Sequence, residues 1–489
     1  MYVLVLLCIV FLLWCIHYHW KRWRLFRISW NIPGPTNLPF LGASYLFLGK
    51  SAPDIATRFI KFFEDYPDLG KFWMGEELFY IVTKPEYLEI ILNHPGALEK
   101  MDMYKYMVPV IGNGLISGPV KVWKKHRRII VPTLKQTILN TFPEIIAQQC
   151  DILLEILEKQ CNKGEIDQYK YIANFSMDVV SETIFGVPLN AQITNANYGQ
   201  TFNKIMEVVF MRIFRLDYHS DLLFSWTKEY KAERENVKVV KEITRDLIER
   251  KKEQLMCQLE VEEDIKKPFL EVLVENYLKQ ELTYEELEDE VSTFLLAASD
   301  TNATSGSFVL TLLGMHQDIQ EKLYDEIIQV LGPERPLNFD DLPHLKYTER
   351  TIKESLRLFP GAPFIARIAE EDINLGEVVI PRGSNIAVGY VHLHRSEKYW
   401  EEPLKFDPDR FLPENVSKRH PYTWLPFSGG LRNCVGGKFA MMVMKIMIAM
   451  VIRKFRVTSS VKCVEDIGLT ANIVLKPKMG FKLTFTLRQ

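Results

Sequence analysis

A glycine-rich loop around a single cysteine is the feature that most narrows what this chain can fold into. The loop Phe427–Gly437 lies between Pro426 and an apolar stretch with helical character. Its glycines permit a tight turn with exposed backbone N–H groups, and the positive end of the following helix favours a thiolate at Cys434. Arg432 could bind an anion beside it. A thiolate held in this way suits a haem iron, and the alternative from the loop alone is a buried structural cysteine.

Cysteine usage and charge exclude several protein classes. The 489 residues include seven cysteines, an odd number at scattered positions without a Cys-x-x-Cys pair. Zinc-ribbon and thioredoxin sites are therefore excluded, and a disulfide scaffold is not expected. The formal net charge of −2 gives no global signal for nucleic acid, which is not expected as a partner.

The N-terminus predicts a membrane anchor. Residues 1–20 are almost entirely apolar or aromatic, and a basic cluster follows at Lys21–Arg27. About 20 residues cross a bilayer core. A cleaved signal peptide would carry its positive charge before the apolar run, so an uncleaved anchor is favoured. The basic cluster then keeps the rest of the chain on the cytosolic side, and residues 21–39 form a basic, proline-rich linker.

Three sequons provide a check on this orientation. Asn174, Asn302 and Asn415 each begin an Asn-x-Ser/Thr motif. These motifs would be glycosylation acceptors in a lumenal protein. A cytosolic location predicts that none of them is used.

Residues 40–489 are expected to form one domain that is mainly α-helical with small β-sheets. Helical spacing is clear in three long segments: 144–160, 283–315 and 437–454. After Pro360 the content of proline, glycine and β-branched residues rises, and 373–383 predicts a hairpin. No change of composition divides this region.

The helix expected at 283–315 has an unusual middle. It begins at a capping box formed by Thr283 and Glu286. Small and polar residues then interrupt its apolar pattern at 297–302, with the sequence Ala-Ala-Ser-Asp-Thr-Asn. Small residues let a flat ligand approach the backbone, and a threonine hydroxyl can bond back to a carbonyl. The alternative is a polar face in contact with solvent.

A further pair lies on a helix at Glu354 and Arg357. The spacing i, i+3 places both side chains on one face. Taken alone, this is an exposed ion pair worth less than about 1 kcal/mol. His392 and His394 could form a two-histidine metal strand, which is not the favoured interpretation.

The motif around the cysteine resembles the haem-binding signature of the cytochrome P-450 family. The residues that carry the resemblance are Phe427, Gly430, Arg432, Cys434 and Gly436. It implies that Cys434 is the axial ligand of a haem iron, that Phe427 shields the sulfur, and that Arg432 pairs with a haem propionate. The similarity extends over essentially the whole chain.

The same resemblance implies roles for the other motifs. Glu354, Arg357 and Arg410 would form a buried network beneath the haem loop. Trp123, Arg127 and Arg367 would reach the haem propionates. Asp300 and Thr301 match the acid–alcohol pair that relays protons to dioxygen on the distal face. The segment that contains His392 and His394 would have a structural role.

Two departures and one clan motif refine these expectations. Ala298 stands where the family most often has glycine, and Asn302 where it usually has serine or threonine. The sequence from Glu290 to Phe294 is similar to the family-four clan, in which many members bind haem covalently through a glutamate. This chain has Ala297 at that position, so non-covalent haem b is expected.

The resemblance also implies a reaction and its partners. The reaction is insertion of one oxygen atom of O2 into a lipophilic substrate, such as a fatty acid, hormone, hydrocarbon or xenobiotic. Electrons would come from NADPH through a flavoprotein NADPH-cytochrome reductase, with cytochrome b5 as a second candidate donor, at the endoplasmic reticulum membrane. A proximal basic patch would receive the reductase: Lys124, Lys125, Arg128 and Lys438. Apolar segments would face the substrate: Met101–Ser117, Phe294, Leu295, Gly361–Ile365 and Ala471–Val474.

The sequence leaves two alternative functions open. A haem-thiolate isomerase or dehydratase would need no reductase, although retention of Asp300 and Thr301 speaks against it. A non-catalytic haem- or lipid-binding protein is kept open by Ala298 and Asn302.

Overall fold

The computed structural model describes residues 2–257, 267–471 and 473–488, and these are mostly helical. The helices are α1 (Tyr2–Ser29), α2 (Ala52–Asp65), α3 (Pro85–Asn93), α4 (Val108–Ile111), α5 (Val120–Ile130), α6 (Gln136–Leu139), α7 (Pro143–Glu158), α8 (Tyr169–Val180), α9 (Tyr198–Phe214), α10 (Asp221–Phe224), α11 (Lys228–Cys257), α12 (Phe269–Leu278), α13 (Tyr284–Met315), α14 (Gln317–Leu331), α15 (Lys346–Leu358), α16 (Tyr390–His394), α17 (Pro413–Val416) and α18 (Gly437–Lys454). The predicted fold class, mainly α with small β-sheets, is confirmed.

Short strands form four small sheets. The strands are β1 (Leu69–Met74), β2 (Glu77–Val82), β3 (Ile166–Asp167), β4 (Phe364–Ile368), β5 (Ile373–Asn374), β6 (Val379–Ile380), β7 (Asn385–Gly389), β8 (Phe455–Thr458), β9 (Leu469–Ala471), β10 (Leu475–Pro477) and β11 (Lys482–Leu487). The largest sheet has the order β1-β2-β7-β4, with β2 and β7 parallel and the other pairs antiparallel. The predicted hairpin is the antiparallel pair β5–β6, and β9 pairs with β10 in a second hairpin.

The long helix α13 runs through the core over 32 residues. Its start is fixed by the predicted capping box, since Thr283 Oγ1 accepts from the Glu286 amide at 3.1 Å and Glu286 Oε2 accepts from the Thr283 amide at 2.8 Å. Helices α8, α15 and α18 pack around it. Such a helix needs partners on all sides, because apolar residues occur around most of its circumference.

The N-terminal helix α1 is 28 residues long, and its most apolar window has a mean hydropathy of 2.2 with 6% of it buried. It is long and apolar enough to cross a membrane. The helix continues beyond the expected boundary at residue 20 as far as Ser29. Its last turns contact the body: the Phe26 ring stacks on Trp73 at 4.4 Å, and Arg22 forms an ion pair with Glu76. The first part of the expected linker is therefore helical.

Candidate active site

The cysteine loop is pressed against the end of α3. Gly430 adopts φ +68°, and a Cβ on this residue would lie 1.9 Å from the carbonyl oxygen of Leu92. The same carbonyl accepts from the Leu431 amide at 3.2 Å, and the Cys434 amide donates to Phe427 O at 3.0 Å. Only glycine combines this backbone conformation with such a close approach. The loop thus has a defined shape that ends at Cys434, just before α18.

The thiol of Cys434 lies in a recess. Its surface is accessible, although protein atoms surround it closely enough that burial raises the pKa of the thiol. The backbone N–H groups of Gly436 and Gly437 and the charge of Arg127 act in the opposite direction and favour the thiolate. A Cβ on Gly437 would lie 3.2 Å from the ring of Phe427, so this ring covers the turn beside the sulfur.

A cluster of three cations lies beside the loop, of which Arg367 and Arg432 are buried and Lys100 is partly accessible. Burial lowers the pKa of Arg432 to about 10, and the nearby Arg367 charge acts in the same direction. Burial also lowers the pKa of Arg367, and it lowers that of Lys100 well below its usual range, where both arginines add their repulsion. The charge of the Glu99 carboxylate raises the pKa of all three groups. One negative charge does not balance three positive charges.

The guanidinium groups of this cluster are incompletely bonded. Arg432 donates to Leu98 O at 2.8 Å and to Gly118 O at 2.7 Å, but its buried Nε has no partner in the described part of the chain. Arg367 makes two long contacts with backbone carbonyls, at 3.2 and 3.4 Å. Buried donors in this state leave room for further acceptors. Sequence reasoning missed Lys100, whose position just before the Met101 loop was its only signal.

Trp123 and Arg127 meet the cysteine loop from α5. Arg127 donates to Asn433 O at 3.0 Å and to its Oδ1 at 2.6 Å. The Trp123 ring is buried, with the Arg432 guanidinium 5.2 Å and the Arg127 guanidinium 5.6 Å from its centroid. Both residues predicted on α5 therefore lie next to the cation cluster.

Glu354 and Arg357 of α15 form a fully buried two-pronged pair. Arg357 Nε donates to Glu354 Oε2 at 2.7 Å and Nη2 donates to Oε1 at 2.8 Å. Arg357 Nη1 also reaches His394 O and Pro403 O, both at 2.7 Å. Arg410 Nε lies 3.4 Å from Glu354 Oε1. The exposed-pair interpretation does not apply, since both members of the pair have no accessible surface.

His394 belongs to this network rather than to a metal site. Its Nε2 accepts from the Leu425 amide at 2.8 Å, and burial lowers its pKa to about 3, so the imidazole is neutral. Among the described residues no cluster of three histidine, cysteine or acidic side chains could hold a metal ion.

The middle of α13 has a partly accessible face between two buried stretches of the helix. Ala297, Ala298 and Thr301 are partly accessible, whereas the residues from Thr293 to Leu296 are buried. Thr301 Oγ1 donates to Ala297 O at 2.6 Å, the back-bond expected for a threonine within a helix. A Cβ on Gly361 would lie 3.9 Å from Thr301 Cβ, so the turn after α15 lies against this face.

Asp300 points away from that face. Its Oδ1 accepts from the Tyr169 hydroxyl and from Lys476 Nζ, the latter at 2.8 Å, and its Oδ2 is buried without a partner among the described residues. The sequence did not indicate either partner. A lysine inside the apolar run Ile473–Pro477 was the only available signal.

The N-terminal half of α13 holds α5 and the preceding loop. Lys125 Nζ donates to Glu286 Oε1 at 2.7 Å, and the buried His126 Nδ1 lies 2.6 Å from Glu290 Oε1. Lys125 is thus an ion-pair partner, whereas the other residues of the expected basic patch are exposed: Lys124, Arg128 and Lys438. Asp289 Oδ2 accepts from the Asn113 amide at 2.7 Å.

The residues of the apolar segments that were expected to face a substrate differ in their surroundings. Leu295 is fully buried, and the Phe294 ring packs on Phe269 with centroids 4.1 Å apart. The Leu475 amide donates to Gly361 O at 3.1 Å, which joins the β9–β10 hairpin to the turn after α15. Within the expected segment Ala471–Val474, Asn472 lies outside the described residues.

Comparison with known proteins agrees with this geometry. The family model described as Cytochrome P450 matches residues 32–485. Cytochrome P450 4c3 of Drosophila melanogaster is 30% identical, covering 98% of this chain and 93% of that protein. Cytochrome P450 4c21 of Blattella germanica is 32% identical over 88% of each chain, and cytochrome P450 4V2 of Mus musculus is 31% identical over 94% and 90%. The chain therefore belongs to the cytochrome P450 family and is a haem-thiolate monooxygenase.

Proposed function

We propose that Cys434 supplies the thiolate to a non-covalent haem b, and that the enzyme inserts one oxygen atom of O2 into a lipophilic substrate. The observation that carries this assignment is the recessed Cys434 thiol beside a cluster of cations whose two arginines are buried and incompletely bonded. Family membership implies a cysteine-ligated haem, and Cys434 is the cysteine with this environment.

The cation cluster suits the two carboxylates of haem. Glu99 is the carboxylate near Lys100, Arg367 and Arg432, and Arg432 Nε has no acceptor among the residues that the structure describes. Two propionates would neutralise the excess charge and accept the free donors, since arginine pairs well with carboxylates. Arg127 and Trp123 would complete the part of the site that holds these carboxylates. Ala297 carries no carboxylate with which a covalent ester could form.

The haem, when bound, would supply dioxygen activation and the oxidation of the substrate. The chain supplies the surroundings. The N–H groups of Gly436 and Gly437 stabilise negative charge on the sulfur, and the Phe427 ring, which lies against Gly437, would shield the sulfur when haem is bound. The buried pair Glu354–Arg357 holds α15 against the backbone of residues 394–407 beneath the loop.

Proton delivery falls to Asp300 and Thr301. The Thr301 hydroxyl lies on the accessible face of α13, where it can orient a water molecule, and Asp300 is one residue away on the buried side. A carboxylate and a hydroxyl in this order can pass a proton from the protein interior to the site. The departures from the family pattern at Ala298 and Asn302 leave both the Asp300 carboxylate and the Thr301 hydroxyl in place.

The N-terminal helix and the exposed basic residues support a proposed location and electron source. The helix α1 would anchor the protein in the endoplasmic reticulum membrane with the body in the cytosol. The sequons at Asn174 and Asn302 support this side, because both side chains are buried and a glycan attached in the lumen would prevent their packing. The exposed Lys124, Arg128 and Lys438 would receive an acidic reductase carrying electrons from NADPH, with cytochrome b5 as a second donor.

The test is the carbon monoxide difference spectrum of the reduced, membrane-bound protein, recorded for the wild type and for Cys434→Ala. We expect a long-wavelength Soret band in the wild type that is absent from the variant. Cys463→Ala is the matched control, because Cys463 is also accessible but lies outside the loop. A folded wild type without the band contradicts the ligand assignment.

A second measurement separates a monooxygenase from its rivals. With NADPH and reductase, the wild type should form an oxygenated product from a panel of lipids, and Asp300→Asn should lose activity by roughly 100-fold or more. Turnover of a peroxide substrate without NADPH would instead support an isomerase or dehydratase. Bound haem with no turnover of any kind would support a non-catalytic binding protein.

A further inference from the structure

Asp300 is held by two buried side chains that come from separate elements. Tyr169 is the first residue of α8, and Lys476 is the middle residue of β10. Lys476 Nζ lies 2.8 Å from Asp300 Oδ1 and 2.5 Å from the Tyr169 hydroxyl, which itself donates to the same Oδ1. All three side chains are buried. The triad therefore gives one carboxylate oxygen two donors, while the other oxygen has no partner among the described residues.

The strand that carries Lys476 also reaches the second residue of the acid–alcohol pair. In β10, the Leu475 amide donates to Gly361 O, and a Cβ on Gly361 would lie 3.9 Å from Thr301 Cβ. One short hairpin thus contacts the acid through Lys476 and approaches the alcohol through Gly361. Neither link is needed to close the β9–β10 hairpin, whose strands pair through their own backbones.

We propose that Lys476, together with Tyr169, is a positioning residue for Asp300, holding Oδ1 so that only Oδ2 is available to exchange protons. The proposal rests on the proton-relay role of Asp300 in the proposed function. Lys476 and Tyr169 themselves touch neither substrate nor cofactor in this scheme. Their effect is exerted through the orientation of the carboxylate.

The electrostatics of the triad agree with fixed roles for its members. Burial raises the pKa of the Tyr169 hydroxyl well above its usual range, and the Asp300 charge adds to this, so the tyrosine remains a donor. Burial lowers the pKa of Lys476, while the Asp300 carboxylate opposes that change. A buried ammonium is tolerated when a carboxylate lies at hydrogen-bonding distance.

A second buried lysine provides a matched control. Lys445 and Lys476 are each 8% exposed. Lys445 donates to Glu349 Oε2 at 2.7 Å and to Leu342 O at 3.0 Å, on the side of α18 that faces α15. Lys445 matches Lys476 in its own burial and in the distance to its carboxylate, whereas its partner Glu349 is 38% exposed and the pair does not involve Asp300.

The experiment compares Lys476→Met, Lys476→Arg, Tyr169→Phe and Lys445→Met in the haem-loaded, full-length enzyme with reductase. We expect Lys476→Met to lower the yield of product per NADPH by roughly tenfold to a hundredfold, to divert electrons to hydrogen peroxide and to change the solvent isotope effect. Lys476→Arg should restore most of the yield, and Tyr169→Phe should lower it less. Lys445→Met should lower Tm without changing the yield.

A second readout does not depend on activity. The losses in Tm caused by Lys476→Met and Asp300→Asn should be non-additive in the double variant, because the two side chains interact directly. The losses caused by Lys445→Met and Asp300→Asn should add. Additive losses for Lys476 and Asp300 would overturn the proposed contact.

The remaining outcomes separate this inference from the proposed function. A Lys476→Met enzyme with wild-type product yield and isotope effect, alongside an impaired Asp300→Asn enzyme, overturns the positioning role alone. An Asp300→Asn enzyme with wild-type yield overturns the relay role of Asp300 and the positioning role with it. A missing thiolate band in the wild type overturns the proposed function, while the Tm comparison still reports on the triad.

Discussion

His126 Nδ1 lies 2.6 Å from Glu290 Oε1 in a fully buried pair that joins α5 to α13. Burial tends to lower the pKa of His126, but the hydrogen bonds and charges of Glu290 and Glu286 outweigh it and raise the pKa. Burial also raises the pKa of Glu290. The folded state therefore holds protons on this pair more tightly than the unfolded chain does.

The first prediction concerns the pH dependence of this pair. A histidine whose pKa is raised on folding stabilises the protein fully below the unfolded value of about 6.5 and loses that contribution as the pH rises through the folded value. The difference in free energy of unfolding between the wild type and His126→Gln should thus shrink as the pH increases above about 6.5. Chemical denaturation at a series of pH values measures it. Lys125→Met is the control. If the difference in free energy of unfolding between the wild type and His126→Gln did not change with pH, a raised pKa of His126 would be contradicted.

A second prediction tests the buried pair on α15. Arg357→Ala should lower the free energy of unfolding by about 3–5 kcal/mol, because it leaves the Glu354 carboxylate buried without its partner. Arg357→Lys should recover little, since an ammonium cannot make the two parallel bonds to Oε1 and Oε2. Denaturant titration measures both variants.

The same helix provides the control for this prediction. Arg350 lies 3.3 Å from Asp409, with side chains 24% and 55% exposed. Its replacement by alanine should cost less than about 1 kcal/mol, as is usual for a solvated pair. Equal losses for Arg350→Ala and Arg357→Ala would show that burial is not the cause.

The third prediction separates backbone strain from steric clash in the cysteine loop. Gly430 and Gly332 have φ angles of +68° and +67°, but a Cβ on Gly332 would meet nothing within 4 Å. Alanine at Gly332, where φ is +67° and ψ is 180°, should cost about 1–3 kcal/mol through conformation alone. Alanine at Gly430 should cost clearly more and release haem, because its Cβ would lie 1.9 Å from Leu92 O. Tm and haem content measure the two effects, and equal losses would mean that the contact with Leu92 is unimportant.

Local signals explain how much of the fold and site was predictable. The capping box at Thr283, the helix from Gly437 and the hairpin at 373–383 depend on neighbours within a few residues, and the structure has all three. The position of Cys434 at the entry to a helix is local in the same way. Such features depend on propensity and spacing, which a sequence displays directly.

Local propensity and spacing could not predict contacts between residues that are distant in the sequence. Lys476 meets Asp300 across 176 residues and His126 meets Glu290 across 164. Each is an ordinary polar residue in its own segment, and only tertiary packing makes it a buried ion-pair member. Lys125 was expected on a solvated basic patch for the same reason, since the sequence does not reveal that Glu286 faces it.

The last prediction concerns Lys100, the member of the cation cluster that the sequence did not indicate. Its ammonium lies among Arg367 and Arg432, so the three charges repel one another unless an anion is bound between them. Lys100→Met removes one charge that would hold a haem propionate. We therefore expect faster loss of haem to excess apomyoglobin, by about tenfold if one charge-assisted hydrogen bond is lost.

Two variants serve as controls, one that keeps the charge at position 100 and one that removes a lysine outside the cluster. Lys100→Arg retains the charge and should retain haem. Lys84 provides a matched lysine outside the cluster, because its Nζ lies 4.3 Å above the Tyr87 ring, just as Lys100 Nζ lies 4.3 Å above the Tyr104 ring. Lys84→Met should release haem at the wild-type rate. If Lys100→Met also retained haem at that rate, the cluster would not depend on Lys100 for its anion, and the propionates would be held by the arginines alone.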